Sequence, residues 1–428
     1  MLVTQSPLSP VAPLPSLGAK GWLSRAEGEV ARNQVLSRVA IELFFVPCRM
    51  ACARNKFERF EALMDTVVWW IMGMGLPLLV QWPLSKWYTR SILKPLSLAH
   101  KTPLNMPLEK LQAGFLKSAG NRMALCKELG LTQAKKLPRI VNLLILGKLA
   151  MVFVDLACMS AKNQVYFWGR NALTAALSKK KGFSGEFTIA TAAQLAQNAK
   201  ERAATEKQRR LLSMINGLTY PLTLPLILLG LLKAPQSAKG SVLGKLKRLL
   251  PHFNYHNTIY MSKWVVFWNC LFGWNLTGLL SARDWHEKRE HLMRCAVVDF
   301  FFFIGDDIFA GIAGKVLQNR YKKQLQGIKL YKPGWFGIPL GRELDHVIED
   351  AGKSGRKSIA VIAEKLGRWN FRIGILTTSI FLGLGFSLIN NWITKQKVLQ
   401  EQATVKRKTQ SNKALSFQLP ASYNRQTQ

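Results

Sequence analysis

Acidic residues are scarce in this chain: 24 Asp and Glu stand against 60 Lys and Arg, which leaves a net charge of +36 over 428 residues. Such an excess needs anionic company, either nucleic acid or anionic lipid headgroups. Histidine is also rare, with six in all. The six cysteines, Cys48, Cys52, Cys126, Cys158, Cys270 and Cys295, form no CxxC pair. That argues against a zinc ribbon or a disulfide framework and for reduced thiols. HExxH, the metalloprotease signature, does not occur. The opening MLVTQSPLSPVAPLPSLGAKG has no early basic region and no continuous apolar stretch, so it does not read as a secretory signal.

What is abundant is apolar. Hydrophobic residues make up 48% of the chain, with 22 Phe and 13 Trp. The basic residues are spread through the gaps between apolar runs rather than gathered on one domain, a pattern that suits a membrane surface better than nucleic acid. Six segments approach the roughly 20 residues a helix needs to cross a bilayer. They are Thr66–Trp82, Ile140–Met159, Leu211–Leu232, Trp264–Ala282, Ala296–Val316 and Ile373–Trp392. Trp82, Trp87, Trp264, Trp285, Trp369 and Trp392 fall at or near their ends, where an aromatic belt would lie. The expected fold is all-α: a multi-pass transmembrane bundle of five or six spans, with amphipathic interfacial helices in the loops. Its parts are a disordered or interfacial basic region over 1–61, the helical membrane domain over 62–393 and a disordered basic tail over 394–428. The stretches around 108–125, 192–212 and 242–253 read as basic amphipathic helices, either resting on anionic headgroups or solvated in a cytosolic loop.

Orientation follows the distribution of Lys and Arg. With all six segments crossing, the two sides share them almost evenly. If the 296–316 segment does not cross, the excess falls on the N-terminal side. With no convincing cleavable address, a bacterial-type inner membrane is the expected location and an organellar membrane the alternative. Arg25, Arg32 and Arg38 give the N-terminal region a weak transit-peptide character that Glu27 and Glu29 interrupt.

The segment VVDFFFFIGDDIFAG, residues 297–311, places Asp299, Asp306 and Asp307 in one of the most apolar stretches. Carboxylates there need a partner, a proton or water. On a helix Asp299 and Asp306 share a face, and Asp307 points roughly 80° away. Lys148 and Asp155 repeat the seven-residue relation on the second segment. A Lys148–Asp306 pair is the cheapest structural explanation. A proton or cation relay through Asp155, Asp299, Asp306, Asp307 and Lys148 is the functional one. Asp65, just before the first segment, reads as an interfacial cap.

Other fragments carry less. One irregular D-x6-DD cluster without a second Asp-rich cluster does not make the metal–diphosphate site of a membrane transferase. His252 and His256 have zinc-ligand spacing but no intervening Glu. AGKSGRKS at 351–358 has Val347 where a phosphate-binding loop needs Gly, so a solvated basic turn is expected. PGWFGIPLG, 333–341, reads as a rigid aromatic loop at the interface. No cofactor and no metal are expected. The leading expectation is a transporter, channel or permease-like protein that moves a small solute or ion along those polar residues. A structural membrane protein gripping anionic lipid through its basic loops is the alternative, and a lipid-modifying enzyme comes third.

Overall fold

Twelve helices and one short hairpin make up the described part of this chain, and about nine-tenths of it is helical. The computed structural model describes residues 34–418 apart from 54–55, 97, 99–103, 105, 113–118, 132–133, 178–191, 235–240, 248–249, 254–262, 284, 335–336 and 354–355. The Pro-rich opening, His256, the Trp-Phe tip of the 333–341 loop, part of the Gly-Lys-Ser turn and residues 419–428 lie outside the described residues.

The helices are α1 (Gln34–Ala51), α2 (Lys56–Leu96), α3 (Leu108–Gln112), α4 (Ala119–Leu129), α5 (Leu137–Leu177), α6 (Ala192–Lys233) and α7 (Val242–Lys247). They continue with α8 (263–281), α9 (285–320), α10 (Lys322–Leu325), α11 (Leu344–Lys353) and α12 (357–418). The strands β1 (Tyr331–Pro333) and β2 (Pro339–Gly341) pair antiparallel, Tyr331 opposite Gly341. Four helical stretches are long and apolar enough to cross a membrane: Lys56–Leu96, Leu137–Leu177, Thr205–Lys233 and Ser358–Lys397. These contain the first, second, third and sixth of the apolar runs read from the sequence. Of the six belt tryptophans, Trp82, Trp87, Trp285, Trp369 and Trp392 are exposed.

The long helices outrun their apolar segments. α5 has 41 residues and α6 has 42, about 60 Å each, twice the thickness of a hydrocarbon core. The stretch after Trp392, expected as a disordered tail, is helical through Gln418; VLQEQATVKRK is rich in good helix formers, so nothing local stops the helix.

Cross-links fix the register of the bundle. Along α5, Tyr88 Oη of α2 donates to the Leu143 carbonyl at 2.5 Å and Gln81 Nε2 to that of Met151 at 3.1 Å, so α2 runs antiparallel to α5. α6 does the same from its own side: Tyr220 Oη donates to the Leu156 carbonyl, and Ser213 accepts from Trp168 Nε1. α8 runs parallel to α5, with Asn269 beside Asn163 and the Ser281 carbonyl accepting from Asn171.

Pro221 and Pro225 sit within α6. A helical proline strands the carbonyl four residues earlier, and for Pro221 that is Gly217, whose oxygen accepts from Ser160 Oγ at 2.7 Å. π-Helical turns interrupt the regular ladder at Trp69–Gly75, Thr89–Leu93, Asn269–Trp274, Cys295–Asp299, Phe301–Gly305 and Phe381–Phe386. Here too, side chains of other helices take carbonyls. Asn216 Nδ2 donates to Phe272 at 2.8 Å, and Arg38 Nη1 donates to Phe302.

Three apolar cores result. The largest joins α2, α5, α6, α8 and the loop between α2 and α5. Leu108, Leu111 and Leu125 of that loop are buried in it, so their apolar face is used on the protein. A second core, Leu325, Ile328, Leu330, Val347, Ala351, Ile359, Ala363 and Leu366, forms a separate knob from the end of α9, α10, the hairpin, α11 and the start of α12. The third seats Ile41 of α1 against Ile375 and Leu382 of α12.

Candidate functional site

The heptad that sets Lys148 and Asp155 on one line of α5 continues to Lys162, and all three are buried. Their surroundings differ. The Lys148 ammonium has no hydrogen-bond partner among the described residues, and its helix neighbours Leu144, Leu149 and Val152 are buried in the main core. Lys162 Nζ lies 4.0 Å from the ring centroid of Trp274 on α8 and 4.7 Å from that of Trp69 on α2. Tyr166 stacks on Trp274 at 5.0 Å, closing an aromatic cage. A cation between indole faces is held by their quadrupoles, and more strongly when water is excluded.

Polar groups extend from this cage along α5. Asn163 Nδ2 donates to Asn269 Oδ1 at 2.9 Å, and Tyr220 Oη donates to the same oxygen at 2.7 Å. Next to Trp274, Asn275 Nδ2 donates to Asp299 Oδ2 at 2.8 Å, which brings one of the expected carboxylates to the edge of the cage. Three π-helical turns converge here: they carry Trp69, Asn269 with Trp274, and Asp299. Such turns widen a helix and aim side chains that a regular helix would place elsewhere, and they recur at functional sites.

Two helical turns further along α5 lies a buried charge network. Arg170 Nη2 donates to Glu287 Oε1 at 2.7 Å, and Arg283 donates to Glu287 at 2.9 Å and to Glu61 at 2.9 Å. Thr174 Oγ1 donates to Glu61 at 2.8 Å. Two guanidiniums thus balance two carboxylates across α2, α5, the segment joining α8 to α9 and the start of α9. Burial works to raise the Glu287 carboxyl, yet Arg170 and Arg283 together pull it down to about 2. His291, one turn on, is held neutral: burial and the nearby Arg294 lower it to about 4, and its Nε2 faces the Asn275 carbonyl at 3.1 Å. On α1, burial and neighbouring Asp65 push the Glu42 carboxyl up to about 8.

In the opposite direction the line continues as Asp155 and Lys148, both buried. Beyond Tyr220 and Leu156 the facing residues are Val152, Ile145, Leu224, Leu228 and Phe303, all buried in the main core. From Thr174 to Asn163 the polar face of α5 covers about 16 Å of helix, and beyond Lys162 and Ser160 its buried polar residues, Asp155 and Lys148, stand singly along the helix.

The expected residues are distributed unevenly around this site. Asp299 joins its edge, and Asp155 is buried one turn from Met159 on α5. Asp306 belongs elsewhere: its carboxylate forms an ion pair with Arg38 of α1, whose side chain is 2% exposed. The expected Lys148–Asp306 pair is replaced by Arg38–Asp306. A guanidinium fork can bridge the Asp306 carboxylate and the Phe302 carbonyl one turn earlier, which a single ammonium does less well. Asp307, partly buried, follows it at the start of the regular turn. Asp65 is no cap either, because the helix already begins at Lys56; it pairs with Arg49 at 2.7 Å. Among the described residues no cluster of three or more His, Cys, Asp or Glu could hold a metal ion. Lys162, Asn163, Arg170, Asn269, Arg283 and Glu287 were not anticipated. The continuation of the heptad to 162, and the i, i+4 series Lys162, Tyr166, Arg170, Thr174, were the signals available. Comparison with protein-family models, curated proteins and solved structures finds no match.

Proposed function

We propose that this chain is a multi-pass membrane transport protein that carries an ion or small polar solute along the buried polar face of α5. In this reading α2, α5, α6 and α12 cross the bilayer, α8 and the apolar part of α9 complete the bundle as fifth and sixth segments, and the basic loops rest on anionic headgroups. The path runs from Thr174 and Arg170, past the Lys162 cage, to Asn163, Asn269 and Tyr220. The observation that carries the reading is the aromatic-caged Lys162, where three helices break their regular geometry around one ammonium. A charged residue inside a bundle is costly and marks a solute or proton path by default. The main core beyond Leu156, with Asp155 and Lys148 buried on its α5 side, then acts as the closed end of the path. Asp306, engaged by Arg38, is no longer part of it.

One observation favours a second reading. The Arg38–Asp306 pair joins α1 to α9 as a static tie, as it would in a structural membrane protein.

Native Cys270 sits in the π-helical turn beside Asn269 and offers the test. With the other five cysteines replaced by Ser, intact membrane vesicles of either orientation are treated with a small, water-soluble methanethiosulfonate. Modification of Cys270 from one side, slowed by Lys162→Trp, is the expected result. Protection from both sides, with modification only after denaturation, would remove the path and leave the cluster as structural glue.

A further inference from the structure

The knob built on the second core carries a basic face, and its assignment rests on the reading that this chain crosses a bilayer with its basic loops at the headgroups. From residue 308 to residue 342 the chain has no Asp or Glu and seven basic residues. Arg342 is neutralised by Asp350 at 2.6 Å. Arg320, Lys322, Lys323, Lys329 and Lys332 are all exposed and make no ion pair among the described residues.

The backbone beneath them is rigid. Leu325, Ile328 and Leu330 are buried between these lysines and anchor the chain to the core. The Leu330 N–H donates to Gln318 Oε1 at 3.0 Å, and its carbonyl accepts from Asn370 and from the Arg342 N–H. Gln326, at φ +46°, and Gly327, at φ +93°, turn the chain between Lys323 and Lys329. Five charges within 13 residues are therefore held together against their mutual repulsion. That arrangement makes sense when an anionic surface faces them.

Their depth is set by α9. Ile312 and Val316 are exposed at i, i+4 on its surface, 48% and 61%, the mark of a lipid-facing stripe. Arg320 is the next residue on the same line, about 6 Å further along the axis. The headgroup layer occupies several Å beyond the hydrocarbon on each side. With Lys315 exposed one residue before Val316, the basic face overlaps the end of the apolar stripe and extends beyond it, to the level of phosphates. The knob returns directly into α12, one of the four long apolar helices, so both of its tethers hold it against the same surface.

We infer that Arg320, Lys322, Lys323, Lys329 and Lys332 form a docking surface for anionic phospholipid headgroups. This holds whether or not a solute passes along α5. The test uses the full chain in a neutral detergent and follows its thermal unfolding as short-chain phosphatidylglycerol, short-chain phosphatidylcholine or inorganic phosphate is added. Three proteins are compared: the native chain, a variant with all five residues changed to Gln, and a control with Lys127, Lys207, Lys395, Lys397 and Arg407 changed to Gln. All ten positions are exposed. Each basic residue near an anionic surface contributes about a fivefold gain in affinity. The five-site variant should therefore need at least tenfold more phosphatidylglycerol for the same shift, while the control matches the native chain. The inference is overturned if the variant responds as the native chain does, if phosphatidylcholine is as effective, or if inorganic phosphate reproduces the shift at equal concentration.

Discussion

Asp306→Asn isolates the energetic weight of one buried pair. In the native chain the Arg38 guanidinium is almost wholly buried and divides its hydrogen bonds between the Asp306 carboxylate and the Phe302 carbonyl. The amide keeps the size of the side chain but removes its charge, so a full positive charge is left without a counter-ion. Removing one member of a buried pair costs about 3–5 kcal/mol, whereas replacing both members by apolar residues of similar volume is near neutral or stabilising. Asp306→Asn alone should cost about 3 kcal/mol or more, and Arg38→Met with Asp306→Leu should come back to within about 1 kcal/mol of the native chain. Reversible unfolding in mixed micelles with rising dodecyl sulfate measures all of these. Lys148 provides the control. Its ammonium is buried with no hydrogen-bond partner, so Lys148→Met should be neutral or stabilising, and its effect should add to that of Asp306→Asn. The reasoning fails if Asp306→Asn costs less than about 1 kcal/mol, or if Lys148→Met rather than Arg38→Met rescues it.

Glu287 and Glu42 should respond to pH in opposite senses. The Glu287 carboxyl is depressed to about 2, so its stabilisation is complete above about 4.5 and is lost as pH falls towards 2; the native chain should lose about 1.4 kcal/mol per unit across that window, and Glu287→Gln should not. The Glu42 carboxyl is raised to about 8, so the folded state holds a proton that the unfolded chain releases. Stability should therefore fall as pH rises from about 4.5 to 8, a slope that Glu42→Gln abolishes in unfolding titrations at fixed ionic strength. Gly311→Ala tests the seat of the hairpin. A Cβ there would overlap the Pro339 carbonyl, a backbone atom that cannot swing aside, so about 1–3 kcal/mol of knob stability should disappear. Hydrogen exchange should then rise over 331–341 while α5 is unchanged.

Much of the bundle could be read from the chain because its apolar runs approach bilayer length. Ile140–Met159 and Leu211–Leu232 lie inside α5 and α6, and Ile373–Trp392 lies inside α12. Where these helices end was not legible, since the 160–177 stretch breaks the apolar run with Lys162, Asn163, Gln164 and Arg170, and other helices bury part of it. The 264–282 and 296–316 runs are not among the four apolar helices; the second carries three aspartates. Intramembrane charge pointed to Asp299, which borders the cage. It could not point to Lys162, because Trp69 and Trp274 are 93 and 112 residues away along the chain and meet it only through the register of three helices. Arg38 was hidden for a related reason: it lies in a basic stretch with no apolar run of spanning length, and its partner is 268 residues away.

The stranded carbonyls have a consequence for how this chain can change over time. Gly217 loses its helical donor because of Pro221 and is rescued by Ser160, and Phe302 is served by Arg38 and Phe272 by Asn216. Every such rescue couples an irregularity in one helix to a single side chain in another. A lineage that regularised α6 by losing Pro221 would release Ser160 from its duty, and one that lost Ser160 first would carry an unmet backbone acceptor until the proline followed. Substitutions at these positions should therefore be inherited in pairs, so that each break in a helix serves as a tally of which two segments have evolved together.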